Sequence, residues 1–66
     1  MHPWLEMDPY VLVSLINMKL RNFYEDLEDL CEDLNIERPL LEEKLNAIGY
    51  HYDKLNNHFT NAEDNA

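Results

Sequence analysis

The chain has 66 residues, of which 45% are hydrophobic and 11% aromatic, so it suits one small folded domain and not a disordered tail. It has 14 acidic residues against 5 Lys and Arg, and this net charge of -9 argues against unaided binding to nucleic acid or to an anionic membrane surface. Because no apolar run reaches the roughly 20 residues of a membrane span, and Cys31 has no second cysteine to pair with, we expect a cytoplasmic protein.

The first predicted helix follows a flexible lead over residues 1–7. Asp8 is a good N-terminal cap and Pro9 suits the first helical position, so we expect a helix from about Pro9 to Tyr24. Its apolar residues recur at helical spacing and predict one buried stripe. The stripe contains Leu12, Leu15, Ile16, Leu20 and Phe23, and the polar residues Ser14, Asn17 and Arg21 lie on the opposite, solvent side.

The second predicted helix begins after Asp26, which caps it, and Asn35 suits its left-handed end. Ile36 then plugs the joint to the next helix. The buried stripe consists of Leu27, Leu30, Cys31 and Leu34. The other face carries Glu28, Asp29, Glu32 and Asp33, for which a solvated surface is the main interpretation. A surface for a basic partner and an imitation of the charge of DNA are the alternatives.

The third predicted helix has Pro39 in its first turn and ends at Gly49, the only glycine of the chain. Its buried stripe is Leu41, Leu45 and Ile48, flanked by Leu40.

An alternating pattern after Gly49 predicts a β-hairpin. Tyr50 and Tyr52 point to one side, residues 54–57 form the turn, and residues 58–60 return as the second strand. The fold class is therefore mainly α: a small tri-helical, helix-turn-helix-like domain with a short C-terminal β-hairpin. We expect one domain over residues 8–60 and a disordered acidic tail over residues 61–66.

Several strings of this chain resemble a known family. They are Asp8-Pro9, Leu12-Val13-Ser14, Asn17, Lys19-Leu20-Arg21, Tyr24, Leu27, Leu30-Cys31, and Gly49-Tyr50 with Tyr52. Together they resemble the short bacterial proteins grouped as domain of unknown function 4250, over roughly Asp8 to Phe59. The resemblance implies a bacterial source and a small stand-alone protein, and it implies no activity.

Candidate binding residues lie on the first helix and the hairpin. Ser14, Asn17 and Arg21 form a polar strip on which the guanidinium could bind a carboxylate or phosphate of a partner. The alternative is that Arg21 pairs with an acid of the second helix, and this is the more common role of such a residue. Tyr50 and Tyr52 would be mainly core, and would anchor a protein interface if one hairpin face stays open.

Four further residues are of types that carry chemistry in proteins: Lys19, Cys31, His51 and His58. Lys19 falls inside the apolar stripe, where a lowered pKa could make it a nucleophile, but its stem more often lies along the core. Cys31 is expected to be a core thiol. His51 and His58 could face each other near Asp53 as a pH-sensitive pair or a weak metal site, although no fixed motif supports it. We expect no cofactor, no metal and no small-molecule substrate.

The favoured function is a non-catalytic protein–protein interaction module that binds a partner or itself. The third helix exposes Glu42, Glu43 and Asn46, and the carboxylates would repel phosphates if this helix entered a DNA groove. Two alternatives stay open. One is a helix-turn-helix DNA-binding regulator with a basic face built from Arg21, Arg38, Lys44 and Lys54, and the other is an acidic inhibitor that mimics DNA.

Overall fold

The structure is a computed structural model that describes residues 2–61. A short N-terminal 3-10 helix precedes three α-helices, and a two-stranded antiparallel sheet follows them. The 3-10 helix spans Pro3–Glu6, α1 spans Pro9–Asn22, α2 spans Leu27–Leu34, α3 spans Arg38–Asn46, β1 spans Tyr50–Asp53 and β2 spans His58–Asn61. The prediction of a tri-helical domain with a C-terminal hairpin is confirmed.

Helix α1 begins as predicted and ends two residues earlier than predicted. The Asp8 carboxylate accepts hydrogen bonds from the backbone N–H groups of Tyr10 and Val11, at 2.8 and 3.4 Å. Phe23 leaves the helical conformation and is 66% exposed, so its assignment to the buried stripe was wrong. Val13, which the periodicity did not select, is buried instead, because the core contacts α1 over a broader arc than the predicted stripe.

The joint between α2 and α3 has the predicted local structure. Asp26 caps α2 by accepting from the N–H of Asp29 at 2.7 Å, and Asn35 ends it with a φ of 57°. Ile36 is buried next to this end. Cys31 is also buried, and this burial raises the pKa of its thiol, as expected for a core residue rather than a reactive one.

Gly49 lies in the turn that follows α3 and has a left-handed conformation with a φ of 88°. A Cβ at this position would lie 3.1 Å from Nδ2 of Asn61, at the end of β2. Both observations explain why the only glycine of the chain stands here. The prediction that Gly49 caps the third helix was wrong, because α3 ends at Asn46 and its C-terminal cap is Ala47 in a right-handed conformation.

The hairpin packs its apolar face on the helices. Tyr52 pairs with Phe59 across the two strands, and their rings lie 5.6 Å apart. Phe59 is 2% exposed and completes a core to which every helix contributes. The other buried members are Leu5, Leu12, Val13, Ile16, Leu20, Leu27, Leu30, Cys31, Ile36, Leu41 and Leu45.

The predicted boundaries at both ends of the chain need revision. We expected a flexible lead, but residues 3–6 form the 3-10 helix, and the core buries Leu5. Trp4 and Met7 pack against the same core, so apolar contact holds the lead in the domain. Asn61 belongs to β2 rather than to a tail, and the rest of the predicted tail lies outside the described residues.

Candidate functional site

One side of α1 faces solvent although it carries large apolar side chains. Tyr10 is 61% exposed, Val11 56% and Met18 39%. Ser14 and Arg21 are exposed on the same side of the helix. We call these five residues the outer face of α1. Exposed apolar side chains grouped on one helix face are typical of an interaction surface, whereas single ones are common on any protein.

The outer face of α1 also differs in charge from the rest of the protein. Helix α1 contains no Asp or Glu, although the chain has 14 acidic residues. The guanidinium of Arg21 makes no ion pair with any of residues 2–61. The expectation that Arg21 pairs with an acid of the second helix was therefore wrong, and no acid of the described residues neutralises its charge.

A groove runs beside the outer face, between α1 and the hairpin turn. It is open to solvent, has a volume of about 700 Å³, and is lined on the helix side by Ser14, Met18 and Arg21. On the hairpin side it is lined by Asn56 and His58. Arg21 and His58 thus stand at one open surface, where either could contact a bound molecule.

Asn17 does not lie on the solvent side as predicted. Its side chain is half-buried and turns toward β2, where Oδ1 accepts from the N–H of Phe59 at 2.7 Å. Its Nδ2 donates to the carbonyl of the same residue at 3.1 Å. Asn17 therefore bonds the edge of β2 as a neighbouring strand would, and its amide is already occupied within the domain.

Asn57 and Tyr52 hold the hairpin to the helices at the other end of the sheet. Asn57 has a φ of 54°, and its Nδ2 donates to the carbonyls of Leu20 and Tyr24, at 3.2 and 3.1 Å. The Tyr52 hydroxyl donates to Oδ1 of Asn57 at 2.6 Å and accepts from the N–H of Leu27 at 3.2 Å. One side-chain pair thus binds the end of α1 and the start of α2.

The five predicted binding residues do not form one surface. Ser14 and Arg21 share the outer face of α1, whereas Asn17 is committed to β2. Tyr50 and Tyr52 are half-buried and pack against the core. Their binding of a partner stays a prediction, and the geometry favours it most for Ser14 and Arg21.

The other candidates for chemistry in the sequence were Lys19, His51 and His58, and the structure shows the contacts of each. The Nζ of Lys19 lies 5.1 Å from the centre of the Phe23 ring, so its ammonium rests over an aromatic face at the end of α1. The strand register pairs His58 with Asp53 and His51 with Thr60, so the two histidines are not opposite each other. Residues 2–61 contain no group of three or more His, Cys, Asp or Glu that could hold a metal ion.

Asp53 gives the hairpin turn a dependence on pH. Its pKa lies below the ordinary value of 3.8 because Asn56 donates to it from both side chain and backbone, Leu55 donates from its backbone, and His58 adds positive charge nearby. A carboxylate with a lowered folded-state pKa stabilises the fold above its unfolded-state pKa and loses this contribution as the pH falls through the folded-state value.

We therefore expect Asp53→Asn to be less stable than the wild type at neutral pH, and the difference to close below the ordinary pKa of 3.8. Urea unfolding followed by circular dichroism from about pH 6 to about pH 2 measures this difference. Parallel pH profiles for the two proteins would contradict the assignment.

The basic residues needed for the DNA-binding alternative are not all free. Arg38 donates to Glu42 at 3.0 Å, which raises the pKa of the guanidinium, and its charge also lies 5.8 Å from the centre of the Tyr52 ring. On the acidic side, the Tyr24 hydroxyl donates to Asp33 at 2.6 Å, and this bond raises the pKa of Tyr24.

The sequence interpretation missed Tyr10, Val11 and Met18 as candidate interface residues. The available signal was their position: Val11 and Met18 flank Ser14 on the helix side that had been assigned to polar residues.

None of the helices in the described part of the chain is long and apolar enough to cross a membrane.

Comparison with known proteins identifies a family. A family model with the description Domain of unknown function (DUF4250) matches residues 6–59, which is most of the chain. Neither the curated proteins nor the solved structures contain a significant match.

Proposed function

Since the chain belongs to the family Domain of unknown function (DUF4250), whose description assigns no activity, we propose a function on physical grounds: a non-catalytic protein–protein interaction module. The binding surface is the outer face of α1. The observation that carries the proposal is the exposure of Tyr10, Val11 and Met18 on one helix side, next to Arg21, which has no ion pair within residues 2–61. Aromatic residues, Met and Arg are the types enriched at protein interfaces.

Charge supports a protein partner over DNA. Glu43 of α3 has an exposed carboxylate, and Glu42 forms an ion pair with the guanidinium of Arg38. A recognition helix with these carboxylates would repel phosphates, so DNA binding is the less favoured alternative. The unpaired Cys31 supports a reducing, cytoplasmic location for the module.

Photo-crosslinking in living cells tests the proposal. A benzophenone amino acid replaces Tyr10 in one protein and Leu55 in a control, because Leu55 is 92% exposed but belongs to the hairpin turn and not to α1. We expect position 10 to give a discrete crosslinked product that contains a protein, whether a second copy or another chain, and position 55 to give none. The absence of a product from position 10 would overturn the proposal.

A further inference from the structure

The residues of the outer face of α1 follow each other at the spacing of a helix-pairing seam. Val11, Ser14, Met18 and Arg21 are separated by three, four and three residues. In two-stranded coiled coils this spacing places side chains along the line of contact between two helices. Tyr10 widens the seam on one side, and the small Ser14 at its middle lets a second helix approach closely.

The seam is complementary to itself when a second α1 lies antiparallel to it. With a two-fold axis at Ser14, Met18 faces Tyr10 of the second copy, because these residues lie equally far from Ser14 on either side. By the same symmetry, Arg21 faces the start of the second helix, where Glu6 and Asp8 stand exposed. Apolar side chains therefore meet in the middle, and opposite charges meet at both ends.

We infer that the occupant of the outer face of α1 is a second copy of this chain, bound as an antiparallel two-fold dimer; this inference rests on the proposed function. Two-fold pairing uses the same patch on both copies and closes, so it produces dimers rather than fibres. The absence of acidic residues from α1 lets the two copies meet there despite a net charge of -9 on each.

The dimer is weak and depends on ionic strength. The contact involves one face of a 14-residue helix on each copy, so we expect an interface below the standard size and an association that is reversible and concentration-dependent. Salt acts in two ways. It screens the repulsion between the two acidic proteins and it also weakens the pairing of Arg21 with Glu6, so the charge test is made at constant salt.

Sedimentation equilibrium of the purified protein, from about 10 μM to about 1 mM, measures the association. We expect the wild type to populate a dimer and Met18→Glu to weaken dimerisation by at least about tenfold, since it buries a charge at the apolar middle. Leu55→Glu makes the same chemical change on an exposed residue of the hairpin turn and should leave dimerisation unchanged. Circular dichroism of each variant verifies that it is folded.

A charge exchange tests the antiparallel arrangement. Arg21→Glu should weaken the dimer, and the addition of Glu6→Arg to the same chain should restore it. Within one chain, Glu6 precedes the start of α1 and Arg21 lies near its end, and α1 is about 20 Å long, so the two positions cannot restore the pairing internally.

A wild type that stays monomeric throughout this range, or a dimer unaffected by Met18→Glu, would overturn the inference. A dimer that Glu6→Arg fails to restore would overturn the antiparallel arrangement. If the protein is monomeric but the crosslinker at position 10 captures a different protein, the second copy is excluded and the proposed function stands. If both experiments are negative, both proposals fail.

Discussion

Replacement of Asn17 by Ala should lower the free energy of unfolding by about 2 kcal/mol, since it removes the partners of two part-buried backbone groups. The Asn17 side chain satisfies both the N–H and the carbonyl of Phe59. Alanine satisfies neither, and the edge of β2 would have to find water beside a buried ring. Thermal unfolding followed by circular dichroism should show a fall in Tm of roughly 10 °C for a domain of this size.

Ser14→Ala is the matched control for Asn17→Ala. Ser14 precedes Asn17 by three residues and is exposed, and its hydroxyl donates only to the carbonyl of Tyr10, at 3.4 Å. This variant should stay within about 0.5 kcal/mol of the wild type. Equal stability of the two variants would mean that the bonds between Asn17 and β2 add nothing.

Replacement of Asn57 by Ala should have the largest effect, a loss of about 3 kcal/mol. Two causes add. Asn57 has a φ of 54°, which costs Ala about 1 kcal/mol relative to a residue that accepts the left-handed region. The variant also removes the bonds to the carbonyls of Leu20 and Tyr24, and it leaves the Tyr52 hydroxyl without its acceptor.

Asn57→Gly separates the two causes. Glycine accepts the positive φ without strain but has no side chain to form the bonds, so it should recover only about 1 kcal/mol of the loss. Urea unfolding of the three proteins gives the comparison. A glycine variant as stable as the wild type would show that Asn57 stabilises the fold only through its backbone conformation and not through its side-chain hydrogen bonds.

The hydrogen bonds of Asn17 and Asn57 show that the two sides of α1 have different roles. On the inner side, Asn17 and the carbonyl of Leu20 hold the hairpin. On the outer side, Val11 and Met18 are exposed and take no part in these hydrogen bonds. Mutations on the inner side should therefore change stability, and mutations on the outer side should change association, which makes the two readouts separable.

The starts of α1 and α2 were predictable because local interactions set them. Asp8 and Asp26 cap N–H groups two or three residues away, and Gly49 supplies a conformation that its own lack of a side chain permits. The same local logic identified the turn at residues 54–57 and the core stripe of α2. For the candidate site, the polar pattern of α1 selected Ser14, Asn17 and Arg21, of which Asn17 instead bonds to β2, and it did not identify Tyr10, Val11 and Met18.

The tertiary structure alone decided which polar residues are internal. Asn17 is 42 residues away from Phe59 in the sequence, and Asn57 is 37 residues away from Leu20. The pattern of polar and apolar residues along α1 or the hairpin therefore cannot predict these hydrogen bonds. Phe23 and Leu5 were misplaced for the same reason: each is apolar, but only the packing of the other elements decides which of them the core encloses. The sequence by itself determined the three α-helices, the hairpin and the starts of α1 and α2, because these depend on neighbours along the chain. The docking of the hairpin, and with it the solvent-exposed side of α1, depends on contacts that form only when distant segments meet.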